Sequence, residues 1–125
     1  MDVRLYQEEL MEHFRNPRNA GEIAHPHFVA EDDNPTCGDR VRLTGKVAQG
    51  ILTDMRFSGK GCVISQATTS MLTELCIGKS VNDLKQISSE DILELIGLPL
   101  GPNRLKCALL CRDVLRAGLR KLDNN

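Results

Sequence analysis

Residues 41–57 read VRLTGKVAQGILTDMRF, and this stretch decides the fold. Apolar residues alternate with polar ones over 41–47, which is the period of a half-buried β-strand. Gln49-Gly50 then has the composition of a tight turn, and a less regular apolar run follows over 51–57. The stretch therefore predicts a β-hairpin, and we expect a shorter strand at 28–30 to flank it.

The apolar period becomes helical on both sides of this hairpin. Residues 5–14 have helical spacing, and this helix is expected to end before Pro17, because the residue ahead of a proline disfavours the helical conformation. Residues 64–75 carry one apolar stripe at i, i+3, i+4 and i+7. Two short helices are predicted where capping sequences begin at Ser80 and Ser88.

The last part of the chain predicts a loop followed by a long helix. Residues 98–102 contain two prolines and a glycine, so we expect a loop there, and an apolar stripe follows over 107–122. The sum is an α+β fold, a small antiparallel three-stranded sheet packed against several helices. With 125 residues, the chain is expected to form a single domain over 1–125.

Composition excludes several classes of function. The net charge of -1 provides no basic patch for nucleic acid, and one Tyr, three Phe and no Trp provide few stacking surfaces. No apolar run reaches the ~18 residues that a membrane span needs, and residues 1–4 do not open a signal peptide. We therefore expect a cytoplasmic protein whose five cysteines are reduced thiols.

Three of the five cysteines lie near predicted element boundaries, in segments marked by glycine or proline. They are Cys37, Cys62 and Cys107, and Asp39 adds a carboxylate two residues after the first. Thiolates near helix N-termini are favoured by the helix dipole, and thiolates bind metals or attack sulfur. Because the spacing contains no Cys-x-x-Cys pair, only the fold can bring these ligands together. A single cytosolic cysteine is more often structural, but three in such positions favour a metal or sulfur site.

The remaining cysteines and two of the histidines are predicted to have no chemical role. Cys76 continues the apolar face of its helix and is predicted to be core. Cys111 lies one helical turn after Cys107, so we expect core, with ligation of the same metal as the alternative. His25 and His27 form a chelating pair in principle, but we expect them to be solvated loop residues.

The cysteine segments resemble the three motifs of the IscU/SufU/NifU iron–sulfur cluster assembly proteins. The matching segments are Asn34-Pro35-Thr36-Cys37-Gly38-Asp39-Arg40, Gly59-Lys60-Gly61-Cys62-Val63-Ile64-Ser65 and Arg104-Leu105-Lys106-Cys107. Leu5-Tyr6 and Asn16-Pro17-Arg18-Asn19-Ala20-Gly21 resemble the N-terminal segment of the same family. The resemblance extends over nearly the whole chain in the same order.

The resemblance implies a site made of Cys37, Asp39, Cys62 and Cys107. In the family, such a site assembles a [2Fe-2S] cluster from iron and from sulfur supplied by a cysteine desulfurase. The cluster passes to apo iron–sulfur acceptor proteins, and Zn²⁺ commonly occupies the site when no cluster is present. The implied role is that of a scaffold rather than an enzyme, and a homodimer sharing one cluster is a further option.

Details of the motifs combine two branches of the family. Lys106 stands where the IscU branch commonly has histidine, and the loop at 98–104 lacks that branch's chaperone-binding sequence, so docking of that chaperone is not expected. The first and third motifs are closer to the SufU branch, whose members act as zinc-dependent sulfur acceptors, but the 45 positions from Cys62 to Cys107 leave no room for its insertion.

Two alternatives to the scaffold therefore stay open. In the SufU-like alternative, Cys107 is the persulfide-accepting thiol, and Lys106 either lowers the pKa of that thiol or is simply solvated. The other alternative is a small structural zinc domain whose thiols never carry sulfur.

Overall fold

The computed structural model describes residues 2–123, which form eight helices and strands. In chain order they are α1 (Val3–Arg15), β1 (Phe28–Asn34), β2 (Asp39–Ala48), β3 (Ile51–Lys60), α2 (Val63–Cys76), α3 (Val81–Leu84), α4 (Ser89–Ile96) and α5 (Pro102–Asp123). The predicted α+β class is confirmed. The predicted domain bounds 1–125 include Met1, Asn124 and Asn125, which lie outside the described residues.

The sheet is antiparallel with the order β1-β2-β3. The predicted turn at Gln49-Gly50 joins β2 to β3, and φ is 52° and 76° at these two residues, the positive values that a two-residue hairpin turn requires. β1 is longer than the predicted strand at 28–30. Its last four residues are polar and give no apolar signal, yet their backbones pair with β2 as far as Asn34 opposite Asp39.

Two helices cover one face of this sheet. α2 packs on β3, α5 packs on β1 and β2, and the two helices also pack against each other. The Phe28 ring lies between two glycines at the α5 contact. A Cβ at Gly45 would approach the ring to 2.1 Å, and one at Gly118 would approach it to 2.5 Å. These glycines therefore let α5 pack closely on the sheet.

The shorter helices begin where the capping sequences predict. The Ser80 side chain accepts from the N–H of Asp83 at 3.1 Å, and Ser88 and Asp91 form a full capping box at the start of α4. The predicted loop at 98–102 is one residue too long, because Pro102 is the first residue of α5. Proline is tolerated there, since the first helical N–H has no partner inside the helix. No helix among residues 2–123 is long and apolar enough to span a bilayer.

α1 packs on α2 and is attached through a buried histidine. His13 is 5% exposed, with Nδ1 2.8 Å from Ser70 Oγ and Nε2 3.3 Å from Glu74 Oε1. Ser70 Oγ also accepts the backbone N–H of Arg18 at 2.8 Å. These contacts of His13 with Ser70 and Glu74 hold α1 on α2.

Candidate metal centre

Four different elements supply the side chains of the sequence-predicted site. Cys37 lies in the turn between β1 and β2, Asp39 begins β2, Cys62 is the N-cap of α2, and Cys107 lies in the second turn of α5. One ligand atom each from Cys37, Asp39 and Cys107 lie within 4.8 Å of one another. The Sγ of Cys62 lies 3.9 Å from Oδ2 of Asp39, so the fold brings all four residues together.

Asp39 reaches the site because strand alternation turns its side chain toward the helices. It shares the helix-facing side of β2 with Val41 and Leu43, both buried. Its Oδ1 accepts the backbone N–H of Cys62 at 2.9 Å. Gly61 permits this approach, because its φ is 140° and a Cβ there would lie 2.2 Å from that oxygen. The glycine beside Cys62 thus makes room for the carboxylate of Asp39.

The carboxylate of Asp39 lacks a cationic side-chain partner among residues 2–123. It is 0% exposed, and no ion pair within the described part of the chain includes it. A buried carboxylate is costly unless it is paired or binds a metal. A cation among the three cysteine sulfurs would neutralise it, so the residues present fit a metal ion.

The donor set also fits the preferences of zinc. Tetrahedral Zn²⁺ takes cysteine sulfur at ~2.3 Å, which places two bound sulfurs about 3.8 Å apart. The ligand atoms of Cys37, Asp39 and Cys107 lie within 4.8 Å of one another, so small side-chain rotations would bring them to the spacing of bound ligands. Iron in clusters takes the same thiolate donors.

The side chain of Cys62 caps the N-terminus of α2. Its Sγ accepts the N–H of Ser65 at 3.4 Å, in the manner of a serine or aspartate N-cap. The unpaired N–H groups and the N-terminal end of the α2 dipole therefore face this sulfur.

Cys107 is 3% exposed, and its Sγ donates to the backbone oxygen of Asn103 at 3.3 Å. Burial raises the pKa of this thiol, and its contacts with Asp39, Cys37 and Cys62 raise the pKa further. Lys106 is exposed, and adjacent helical residues point about 100° apart, so the solvated alternative describes it.

The three cysteines line a pocket of about 420 Å³. Cys37 is exposed and Cys62 is half-buried, so the site opens to solvent on the side of the β1–β2 turn. The other lining residues, none of which was predicted to be a ligand, are Met11, Val63, Ile64, Asn103 and Arg104. Met11 shares the helical spacing of the α1 apolar stripe, which is the one sequence signal that indicates its inward position.

The other two cysteines lie in the hydrophobic core and are not part of the group of ligand atoms. Cys76 is 0% and Cys111 is 1% exposed, and burial raises the pKa of both thiols to about 12. Both predictions of core are confirmed, and ligation by Cys111 is not supported. His25 and His27 are exposed as expected, and Nδ1 of His27 accepts the N–H of Val47 at 2.9 Å.

Comparisons with known proteins find relatives that match nearly the whole chain. The zinc-dependent sulfurtransferase SufU of Bacillus subtilis is 38% identical over 134 aligned positions, covering 94% of this chain and 90% of SufU. The iron–sulfur cluster assembly scaffold protein IscU of Escherichia coli is 35% identical, covering 91% of each chain. A solved structure from Fervidobacterium islandicum, described as a candidate cluster assembly scaffold for the SUF system, superposes with a TM-score of 0.80 at 27% identity, covering 95% of this chain and 99% of that one.

The family match covers nearly the whole chain. The family described as the NifU-like N terminal domain matches residues 5–125, a range that contains all four residues of the candidate site. This protein therefore belongs to the NifU-like N-terminal domain family.

Proposed function

We propose that this chain is a scaffold on which a labile [2Fe-2S] cluster is assembled and from which it passes to apo acceptor proteins. The observation that carries the proposal is the convergence of three cysteines on a buried carboxylate that has no cationic side-chain partner among residues 2–123, at a pocket with one exposed cysteine. Sulfur would come from a cysteine desulfurase. The name of the Escherichia coli relative, a cluster assembly scaffold, supports this function.

The mixed donor set suits a site that must release its cargo. Stable cluster carriers use four thiolates, whereas Asp39 offers a hard oxygen in place of a fourth sulfur. A carboxylate binds iron less firmly than a thiolate, so an acceptor protein with four cysteines would gain the cluster. Cys37, on the exposed turn, is the ligand that such an acceptor reaches first.

We further propose that Cys107 receives sulfur from the desulfurase. In this step the deprotonated Sγ attacks the outer sulfur of the desulfurase persulfide. A new S–S bond forms at Cys107, the bond in the desulfurase breaks, and the desulfurase cysteine leaves as a thiolate. The proton lost from Cys107 and the proton gained by the leaving thiolate balance, and no external oxidant or reductant is needed.

A second candidate function is that of a zinc-dependent sulfur acceptor without cluster assembly. The 38% identical relative is named a zinc-dependent sulfurtransferase, and three thiolates with one carboxylate match tetrahedral zinc. Bound zinc would neutralise the buried charge of Asp39. In this function Cys37, Asp39, Cys62 and Cys107 hold the ion until Cys107 is released to accept sulfur.

The remaining partners are proposals of the same kind. A homodimer sharing one cluster would use the exposed side of the pocket at Cys37, since Cys111 is buried in the core. A cytoplasmic location would agree with five unbridged cysteines.

Anaerobic reconstitution with iron and sulfide tests these functions, with iron, sulfide and zinc counted per chain. The scaffold predicts visible absorption, equal iron and sulfide, and displacement of zinc. Retained zinc without a cluster, but with persulfide trapped at Cys107, would favour the sulfur acceptor instead. Zinc with neither product would leave a structural zinc domain. Cys37→Ala is expected to lose cluster and zinc, whereas the core variant Cys76→Ala is the matched control that keeps both.

A further inference from the structure

Asn34 connects three of the four candidate ligands, although it is not one of them. It is the last residue of β1 and pairs with Asp39 across the hairpin. Its backbone oxygen accepts the N–H of Cys37 at 3.2 Å, which closes the turn that carries the first cysteine. The third connection is made by its side chain.

The side chain of Asn34 points toward the helices. Paired residues on neighbouring strands share a face, and Asp39 lies on the helix-facing side. The Nδ2 of Asn34 therefore faces α5, and it lies 4.0 Å from the Sγ of Cys107, within the range of an N–H···S contact. Asn34 is half-buried, so this contact is partly shielded from water.

The sulfurs of Cys62 and Cys107 make different hydrogen bonds. The Sγ of Cys62 accepts a backbone N–H, and the Sγ of Cys107 donates to the backbone oxygen of Asn103. Within residues 2–123, the amide of Asn34 is the one side-chain N–H that donates to Cys107. The contact with Asn103 uses the hydrogen of the thiol itself, whereas the Asn34 amide brings its own hydrogen to the sulfur.

We propose that Asn34 is the positioning residue of Cys107, whose amide directs that sulfur toward Cys37 and Asp39. The amide does not react, and it acts by favouring one orientation of the Cys107 side chain. The consequence for sulfur transfer rests on the proposed function of this site. The orientation itself does not rest on that function, because it concerns any metal bound to the sulfur.

Cobalt substitution tests the orientation without sulfur transfer. Co²⁺ is loaded in place of zinc, and the thiolate-to-cobalt charge-transfer absorption is recorded for the wild type, Asn34→Leu and Asn34→Gln. A hydrogen bond lowers the energy of the sulfur donor electrons, so its loss is expected to shift this absorption to longer wavelength in Asn34→Leu, which keeps the shape of the side chain. Asn34→Gln keeps an amide donor and is expected to restore the shift at least in part. Asn82→Leu, an exposed position on α3, is the matched control.

A sulfur transfer assay tests the consequence. The variants receive sulfur from a cysteine desulfurase, and the share of persulfide on each cysteine is measured by mass spectrometry. We expect the share at Cys107 to fall about fivefold in Asn34→Leu, the effect of losing one ordinary hydrogen bond. Far-UV circular dichroism and thermal unfolding establish that each variant is folded. If Asn34→Leu does not fold, Asn34→Ser, which is shorter and keeps a donor, replaces it with a smaller expected shift.

The two readouts separate the proposals. Identical charge-transfer absorption in folded Asn34→Leu and wild type would overturn the positioning role of Asn34, whatever the sulfur assay gives. A wild type that accepts no sulfur at any cysteine would overturn the sulfur-accepting function, and the cobalt spectra would still decide the role of Asn34.

Discussion

The carboxylate of Asp39 accepts the backbone N–H of Cys62 at 2.9 Å, although 23 positions separate these residues in the chain. The bond ties the start of β2 to the start of α2 and brings a buried negative charge beside a cysteine sulfur. The same residue is thus a structural acceptor and a candidate ligand. Substitutions at Asp39 should separate these roles.

Asp39→Asn is expected to stabilise the metal-free protein and to weaken metal binding. Asparagine keeps an oxygen for the Cys62 N–H but removes a buried charge, whose desolvation costs at least about 1 kcal/mol. Urea unfolding with and without Zn²⁺ measures both effects. The exposed variant Asp33→Asn should change neither, and a less stable metal-free Asp39→Asn would contradict the prediction.

Asp39→Ala is expected to make a reconstituted cluster more persistent and to slow its transfer. The variant removes the weakly binding oxygen from the site and leaves the three thiolates. The decay of visible absorption, alone and with an apo acceptor protein, measures both rates. Faster loss of the cluster than in the wild type would show that Asp39 does not act as a release device.

Gly61→Ala is expected to destabilise the fold and to reduce zinc affinity. Its Cβ would lie 2.2 Å from Oδ1 of Asp39, and φ at this position is 140°. The carboxylate therefore has to move away from Cys62. Calorimetric zinc titration and thermal unfolding measure the losses. Gly101→Ala is the matched control, because a Cβ there meets no atom within 4 Å and the φ of Gly101 is not positive. Equal behaviour of the two variants would refute the close-approach explanation.

Acidification is expected to destabilise the protein through His13. Burial, with a smaller contribution from Arg18, lowers the pKa of His13 below its ordinary value of 6.5, whereas Glu74, Glu9 and Glu12 oppose this shift. As pH falls through about 6.5, the unfolded chain binds a proton that the folded chain does not. Stability is therefore present above this pH and is lost below it, with a slope of at most about 1.4 kcal/mol per pH unit.

Urea unfolding between pH 7.5 and 5 measures this slope. His13→Gln should flatten it, whereas the exposed variant His25→Gln should not. An unchanged slope in His13→Gln would assign the pH dependence to other groups.

The metal-free protein is expected to react with iodoacetamide at Cys37 first and not at Cys76 or Cys111. Cys37 is exposed, whereas the other two are buried and their thiols have pKa values of about 12. Peptide mass spectrometry after timed alkylation at pH 8 measures the order, and both core cysteines should react once urea unfolds the chain. Early modification of Cys111 in the folded protein would show that its thiol is accessible, and Cys111 would again be a candidate ligand.

The elements that the sequence predicts well are those with strong local signals. The hairpin, the α2 stripe and the serine caps depend on nearest neighbours, so their patterns are visible in the chain. The length of β1 is underestimated because residues 31–34 are polar. Their backbones pair with β2, and this pairing has no signal in the sequence. Pro102 marks both a loop and a helix start, and only the packing of α5 decides between them.

The sequence predicts which residues form the site, but it does not predict the contacts that each of them makes. The motifs indicate Cys37, Asp39, Cys62 and Cys107, and the fold brings them together. Their individual environments depend on long-range contacts. Sequence neighbours on a helix face different directions, so adjacency alone does not tell whether Lys106 acts on Cys107, and the burial of Cys107 has no local signal.

The four donor side chains come from widely separated positions in the chain, and a bound ion would link them through its coordination bonds. An ion at this site closes two chain loops, one between the β1–β2 turn and α2 and one between α2 and α5. Loop closure lowers the entropy of the unfolded chain, as a disulfide does, so part of the ion's binding free energy becomes folding free energy. Each delivery of cargo would then also remove one link between α5 and the hairpin, and the emptied protein would be less stable than the loaded one.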